Sequence, residues 1–539
     1  MRWKLNRRRG LLALASAGAL VATLAACGND ASNGNGGEGA SGESWILGTT
    51  ETVTAMDPAG SYDFGSWNMQ YNIFEQLLVV PAGESAPVGD AAESCEYDNP
   101  QTLTCTLKEG LKFSNGHDLT SSDVKFSLER NINIADPNGA SGLLGAIIEP
   151  DSDPQAVAEG AIETPDETTV VFHLNQADTT FINILSTAPA SIVDEELFPA
   201  DKVLPDSEVV GSGPYKLSQY KPGEQAVLEA NETYEGDRAP KSPQIFVQYF
   251  SDPSPLKQAV EGGEVDIAWR TLSPTDLNDL DGAEGVNVVK GEGSEFRYWV
   301  WQFAQPVAKD KATRQAVAQI IDRDTIAADA YDGTVAPAYS IVPPGFGGQK
   351  DSFKEKYGEP SVDAAKKLLD DAGIKTPVKI TLGYTPTHYG PNAVDEANEL
   401  AAQLNQSGLF DVTTEDAEWE QYQNLYKEGA YDLFILGWYP DFLDADNYLS
   451  PFIRDGGFYA NNYSNEEVNK LLDQELASTD PAEREEIFGQ LQDIVAEDVP
   501  LIPSWNGENV AVARDGMEGV EGTLDPTYIF RFWEISKNG

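Results

Sequence analysis

The chain has 539 residues and sets 88 Asp and Glu against 36 Lys and Arg, a formal net charge of -52 at pH 7. So acidic a surface repels phosphate backbones and excludes nucleic acid as a partner; it favours cationic or zwitterionic ligands presented amine-first, although it serves solubility equally well. The three histidines, His117, His173 and His388, stand far apart with no spacing suited to zinc, and no metal or other cofactor site is expected.

At the N-terminus Lys4, Arg7, Arg8 and Arg9 precede an uncharged apolar run, residues 11–26. That is the pattern of an export signal, and its 16 residues fall short of the ~20 that span a bilayer. The run ends in Leu24-Ala25-Ala26-Cys27, which resembles a bacterial lipobox. Cys27 is then residue 1 of the mature chain and carries acyl chains that anchor it to the outer face of the cell membrane. The alternative is a cleaved, unlipidated signal with an incidental cysteine. Arg8-Arg9-Gly10-Leu11-Leu12 leaves both the twin-arginine and the general export route open. Removing residues 1–26 takes away five cationic residues and no acidic one, bringing -52 to -57. Residues 27–44, rich in Gly, Ser, Asn and Ala, have too few apolar groups to offset ordering entropy and read as a flexible tether. The folded body begins near Trp45 and holds 495 residues, too many for one core.

Cys95 and Cys105 flank the turn sequence Tyr97-Asp98-Asn99-Pro100-Gln101, so a hairpin brings them opposite each other. In an exported protein this predicts a disulfide; two unpaired buried thiols are the alternative. Residues 107–130 read as a strand, a turn through Asn115-Gly116 and a helix capped near Thr120 to Asp123. Strands are predicted at 169–173, 225–229, 244–250 and 431–436, and helices at 312–321, 362–372, 395–404 and 484–495. Ser361 and Asp480-Pro481 supply helix starts and Gly373 a stop. Gly211-Ser212-Gly213 lacks the Lys-Ser/Thr of a phosphate-binding loop and is not a nucleophile elbow; it is a turn. The dense aromatics Phe296, Tyr298, Trp299, Trp301 and Phe303 either stack on a ligand or fill a core. The mixture of strands and helices argues for α/β lobes.

Six stretches carry a resemblance in fixed order: Leu107-Lys108-Glu109-Gly110 with Leu119 to Arg130, Gly211 to Leu217, Glu261-Gly262-Gly263-Glu264-Val265-Asp266, Arg314-Gln315-Ala316-Val317, Ile321-Asp322-Arg323, and Gly437-Trp438-Tyr439-Pro440-Asp441. Together they resemble the family-5 extracellular solute-binding proteins of ABC importers, whose members bind oligopeptides, dipeptides, nickel, haem and some oligosaccharides. The resemblance implies a two-lobed α/β clamp like the type II periplasmic binding proteins, in the large peptide-binding subclass. Lobe I comprises 45–66, 193–290 and 506–539, with an extra subdomain at 67–192; lobe II comprises 291–505. The chain crosses between lobes twice.

In similar proteins a peptide lies extended between the lobes, and an aspartate four positions after the Gly of a Gly-Trp turn holds its α-ammonium. Gly437, Trp438 and Asp441 match that pattern, with Tyr439 between them. Tyr298 and Trp301 are candidate aromatic walls, and Glu51 and Thr52 stand before Met56-Asp57-Pro58, which resembles the family's Leu-Asp-Pro turn. The family's dipeptide binders place an arginine for the ligand carboxylate in the segment matching 384–392, which has none here. Longer peptides or a neutral ligand such as an oligosaccharide fit that absence better. The implied partners are a solute, probed as oligopeptide, and the permease subunits of an importer; the protein is expected to be a monomer without catalytic residues or cofactor.

Overall fold

The computed structural model describes residues 42–270, 272–386, 388–390 and 392–538. Cys27 and the export signal lie outside them.

Trp45–Thr49 is a short strand buried on both faces, and such strands sit centrally with parallel neighbours. It pairs in parallel with Gln244–Tyr249 on one side and Ile267–Trp269 on the other. From there one sheet of eleven strands extends in both directions. Toward one edge lie Gln225–Ala230 and Tyr215–Lys221, both antiparallel. Toward the other come Leu501–Arg514, Val286–Trp301, Leu433–Trp438, Val378–Tyr384 and Phe410–Asp416, with Val335–Pro337 pairing alongside.

Two strands are far longer than the rest: Val286–Trp301 with 16 residues and Leu501–Arg514 with 14. They run antiparallel from Val286 opposite Arg514 to Val300 opposite Leu501, with the register broken between Gly291 and Glu295. A Cβ on Gly291 would lie 1.8 Å from the carbonyl oxygen of Leu524, and one on Gly293 2.2 Å from that of Gly507. Only glycine permits that approach. One hydrophobic core, from Phe296 to Trp505, gathers on the side where this ladder meets Leu433–Trp438. A second combines Trp45, Tyr215 and Val247 with C-terminal residues such as Phe530 and Phe532, and a third contains only residues between Leu77 and Ile192 among its fully buried members. The molecule is a two-lobed α/β clamp.

The helices predicted at 312–321, 362–372, 395–404 and 484–495 occupy Lys311–Ile320, Val362–Asp371, Ala393–Gln406 and Pro481–Asp498. Their ends are set by the expected chemistry. Ser361 Oγ accepts from the Ala364 amide at 3.2 Å, Gly373 adopts φ 70°, and Asp480 Oδ1 accepts from the Ala482 amide at 3.0 Å. Thr120 and Asp123 form a capping box at the start of Ser121–Ile134. At Gly211 and Gly213 the chain presses against the backbone of Ile73, and the Gly213 amide donates to the Ile73 carbonyl at 2.8 Å.

Cys95 and Cys105 face each other on Ala92–Asn99 and Thr102–Leu107 and are bridged. The hairpin belongs to a four-stranded antiparallel sheet completed by Thr169–His173 and Ile162–Asp166. A sequence separation of 10 gives the bridge about 3 kcal/mol in the loop-entropy account. The double variant Cys95→Ser, Cys105→Ser should therefore speed amide exchange across this sheet while leaving exchange in Leu501–Arg514 unchanged.

Candidate ligand-binding cleft

Strand Leu433–Trp438 is buried over its first four residues and half-exposed at Gly437 and Trp438, where it leaves the core and enters the cleft. Gly437 lies opposite Arg297, and a Cβ there would come within 2.5 Å of Arg297 Nη1. The turn that follows is held by one side chain. Asn447 Oδ1 accepts from Trp438 Nε1 at 3.0 Å and from the Asp441 amide at 2.9 Å, and its Nδ2 donates to Asp441 Oδ2 at 3.2 Å. The other carboxylate oxygen, Asp441 Oδ1, accepts from the Tyr62 hydroxyl at 2.7 Å. Burial pushes the Asp441 carboxyl up to about 6, and the bonds from Tyr62 and Asn447 pull it down less. Among the described residues no cationic side chain pairs with it. Neighbouring Asp444, by contrast, takes both terminal nitrogens of Arg484, at 2.8 and 2.9 Å.

Beside Asp441 aromatic rings from distant segments meet. Phe64 packs edge-on against Tyr439 at 4.9 Å, and Tyr439 against Tyr528 at 5.0 Å. The guanidinium of Arg270 lies 4.1 Å from the Phe64 centroid, 4.6 Å from Tyr439 and 5.6 Å from Tyr528. Its Nε donates to Glu51 Oε1 at 2.9 Å. Further along the same junction the Thr179 amide donates to the Leu476 carbonyl at 2.9 Å, and Asn183 Nδ2 to Asp444 Oδ2 at 3.4 Å.

Residues 86–460 match the profile of the bacterial extracellular solute-binding proteins, family 5. The chain belongs to this family. It is 25% identical over 488 residues to the dipeptide-binding protein of Escherichia coli (strain K12), covering 86% of this chain and 89% of that one. To the oligopeptide-binding protein OppA of Bacillus subtilis (strain 168) it is 23% identical over 546 residues, covering 96% and 97%. Among solved structures, the ABC transporter substrate binding protein CtaP from Listeria monocytogenes superposes with a TM-score of 0.80 at 24% identity, covering 92% of this chain and all of that one.

In this family-5 protein several expected residues stand elsewhere than anticipated. Tyr298 and Trp301 are wholly buried and do not face the cleft. Tyr298 stacks on Phe296 at 4.7 Å, packs on Phe452 at 5.1 Å and shares a hydrogen bond with the Tyr459 hydroxyl. The strand that carries them is covered on both faces, so its aromatic density marks a core. Thr52 is exposed, and its carbonyl oxygen would lie 2.0 Å from a Cβ on Gly65, so its backbone fixes the start of helix Phe64–Ile73. Glu51 does reach the junction, through Arg270. Asp57 is a buried structural residue that pairs with Arg130 through both oxygens, at 2.9 and 2.6 Å.

The segment 384–392 carries no arginine, yet one packs on it from another strand. Arg297 is 1% exposed, lies 4.2 Å from the Tyr389 centroid and 4.8 Å from that of Trp505, and donates Nη2 to the Tyr389 carbonyl at 3.4 Å. Behind it sits Glu396, wholly buried on helix Ala393–Gln406. That carboxylate accepts from Trp299 Nε1 at 2.9 Å, the Tyr331 hydroxyl at 2.6 Å, Ser504 Oγ at 3.1 Å and Trp505 Nε1 at 3.3 Å. His388 stacks on Trp419 at 3.8 Å; burial and then Arg297 push it down to about 4, so it is neutral at pH 7. Asn447, Tyr62, Phe64, Arg270 and Glu396 left no mark in the sequence pattern: Asn447 acts through a loop with no periodicity, and the others act on residues far away in the chain.

Glu396, on helix Ala393–Gln406, orders two strands and helix Arg323–Tyr331 around one charge. Glu396→Ala should destabilise this lobe by about 3–5 kcal/mol, since it leaves four buried donors without their acceptor and removes a carboxylate beside Arg297. Urea unfolding followed by tryptophan fluorescence measures the loss.

Proposed function

We propose that this protein captures short peptides by their free α-ammonium in the interlobe cleft and delivers them to the permease of an ABC importer, tethered to the membrane through Cys27. The observation that carries the reading is Asp441. Its carboxylate is half-buried, oriented by Asn447, approached by Tyr62 and without a cationic partner among the described residues. A desolvated carboxylate without a cation is unfavourable unless a ligand supplies one. Two accepted hydrogen bonds leave its oxygens room for more, and Tyr62, 46% exposed, marks a way in.

Peptide capture is supported by the dipeptide- and oligopeptide-binding relatives. An extended peptide pairing its main chain with the cleft would bind through groups common to all sequences, which suits loose side-chain selectivity. The lobes in this reading are 45–66, 193–290 and 506–539 against 291–505, with 67–192 as an outlying subdomain, and the double crossing is the hinge. Binding rather than catalysis is the activity.

Asp441→Asn should abolish tight binding of free-amine peptides and, because it removes an uncompensated desolvated charge, raise the thermal stability of the ligand-free protein. Calorimetric titration with peptides from a casein digest, beside melting curves, tests both halves. Unchanged affinity would refute the clamp, and native mass spectrometry showing a co-purified sugar in place of peptide would refute the ligand class. The pH dependence has a fixed sign. An acid whose folded pKa is raised opposes folding increasingly as pH climbs from its ordinary 3.8 to about 6 and fully above that, and a ligand ammonium needs it ionised. Affinity should hold from pH 8 to about 6 and then fall about tenfold per pH unit; Asp441→Asn should flatten the profile.

Cys27→Ser should move the protein from the membrane fraction into the medium. Retention at the membrane would rule out the thioether anchor.

A further inference from the structure

We propose that Arg270 is a specificity-determining residue that receives an anionic group of the ligand, so that the preferred cargo is zwitterionic, with ammonium at Asp441 and carboxylate at Arg270. This deepens the peptide reading and rests on it.

The guanidinium is held by its faces. Phe64 and Tyr528 come from one lobe and Tyr439 from the other, and all three rings lie within 5.6 Å of its central carbon. Cation–π packing fixes the plane of a guanidinium without consuming any N–H. Of the five N–H donors on an arginine side chain, only Nε is committed, to Glu51 at 2.9 Å. Among the described residues Nη1 and Nη2 have no hydrogen-bond acceptor, and 14% of the side chain remains exposed at the cleft.

Most buried arginines among the described residues are arranged differently; Arg323 likewise commits only its Nε, to the Pro503 carbonyl, but is 5% exposed. Arg130 and Arg484 each place terminal nitrogens on carboxylates, Arg238 places its own on Asp90 and two carbonyls, and Arg314 its own on carbonyls. These are structural cations with their outer edges used up. In Arg270 the rings and Glu51 secure the side chain and the outer edge stays free, a planar fork of the shape that takes a carboxylate through two parallel hydrogen bonds. Glu51 balances the charge before a ligand arrives, so the site does not depend on an unpaired buried cation.

Position ties this edge to the ammonium clamp. Tyr439, which stacks on Arg270, stands two residues before Asp441; Phe64, the other face of the cage, stands two residues after Tyr62, which donates to Asp441. The two charged groups therefore flank one aromatic pair at the same lobe junction. Arg270 also supplies, from the opposite lobe, the cation that segment 384–392 lacks. Its backbone φ of 62° turns the side chain off the end of strand Ile267–Trp269, a conformation that costs non-glycine residues energy and persists where the surroundings enforce it.

The test presents ligand-stripped full-length protein with an equal mixture of a peptic casein digest and the same digest amidated at its carboxyl groups, the retained peptides being counted by mass spectrometry. The wild type should prefer the unmodified digest by on the order of 30-fold. Arg270→Gln should bring that preference close to unity while keeping the preference for free over acetylated amines. Arg270→Lys, which keeps the charge without the fork, should fall between. Equal retention of both digests by the wild type overturns the role of Arg270 and leaves the peptide reading standing. An undiminished preference in Arg270→Gln overturns it as well. Retention of neither digest overturns the peptide reading and this assignment together. The wild-type comparison stands even if a variant fails to fold.

Discussion

The antiparallel ladder between Val286–Trp301 and Leu501–Arg514 is the contact on which the rest of the molecule depends. It carries a single sheet through both lobes, so the core from Phe296 to Trp505 and the core around Trp45 are built on one continuous set of backbone hydrogen bonds. Between Gly291 and Glu295 the ladder breaks, and glycines at 291 and 293 let backbones approach too closely for any side chain. Glu295 stands at that break. It receives Arg297 at 3.3 Å, its amide donates to the Tyr528 hydroxyl at 3.2 Å, and its charge contributes to holding Arg270 protonated. The register break and the contacts of Arg297 and Tyr528 thus share a handful of residues.

Charge is handled differently inside and outside. The surface is overwhelmingly acidic, which keeps a secreted protein soluble and repels nucleic acid. In the interior many buried charges are paired: Asp57 with Arg130, Asp90 with Arg238, Asp525 with Arg531, Glu475 with Arg484. Such pairs contribute little net stability but are costly to break singly. Asp441 has no cationic partner among the described residues, and Arg270 keeps an edge unspent. Unspent polar capacity of opposite sign at neighbouring positions is what a binding site looks like before its ligand is considered.

Local signals in the sequence were strong wherever a structure is settled by neighbours in the chain. Ser361, Asp480-Pro481 and the Thr120–Asp123 box mark helix ends because capping involves groups within four residues. The Cys95–Cys105 hairpin follows from a turn and alternation. The aromatic run at 296–303 misled in one respect: dense rings on a strand are equally compatible with a wall and a core, and only the helices and strands laid over both faces decide. Periodicity cannot report what covers a strand.

Composition, the ordered motifs and the Gly437-Trp438-Asp441 spacing were determined by sequence alone, because each is a matter of residue type and short-range order. Tertiary structure alone decided that Asn447 pins Trp438 to Asp441, that Tyr62 crosses the cleft to the same carboxylate, and that Arg297 rather than a residue of 384–392 packs on Tyr389. It also decided that Arg270 stands between rings from two lobes. Those contacts join positions up to 379 residues apart, and no pattern within a segment records which distant segment will fold against it.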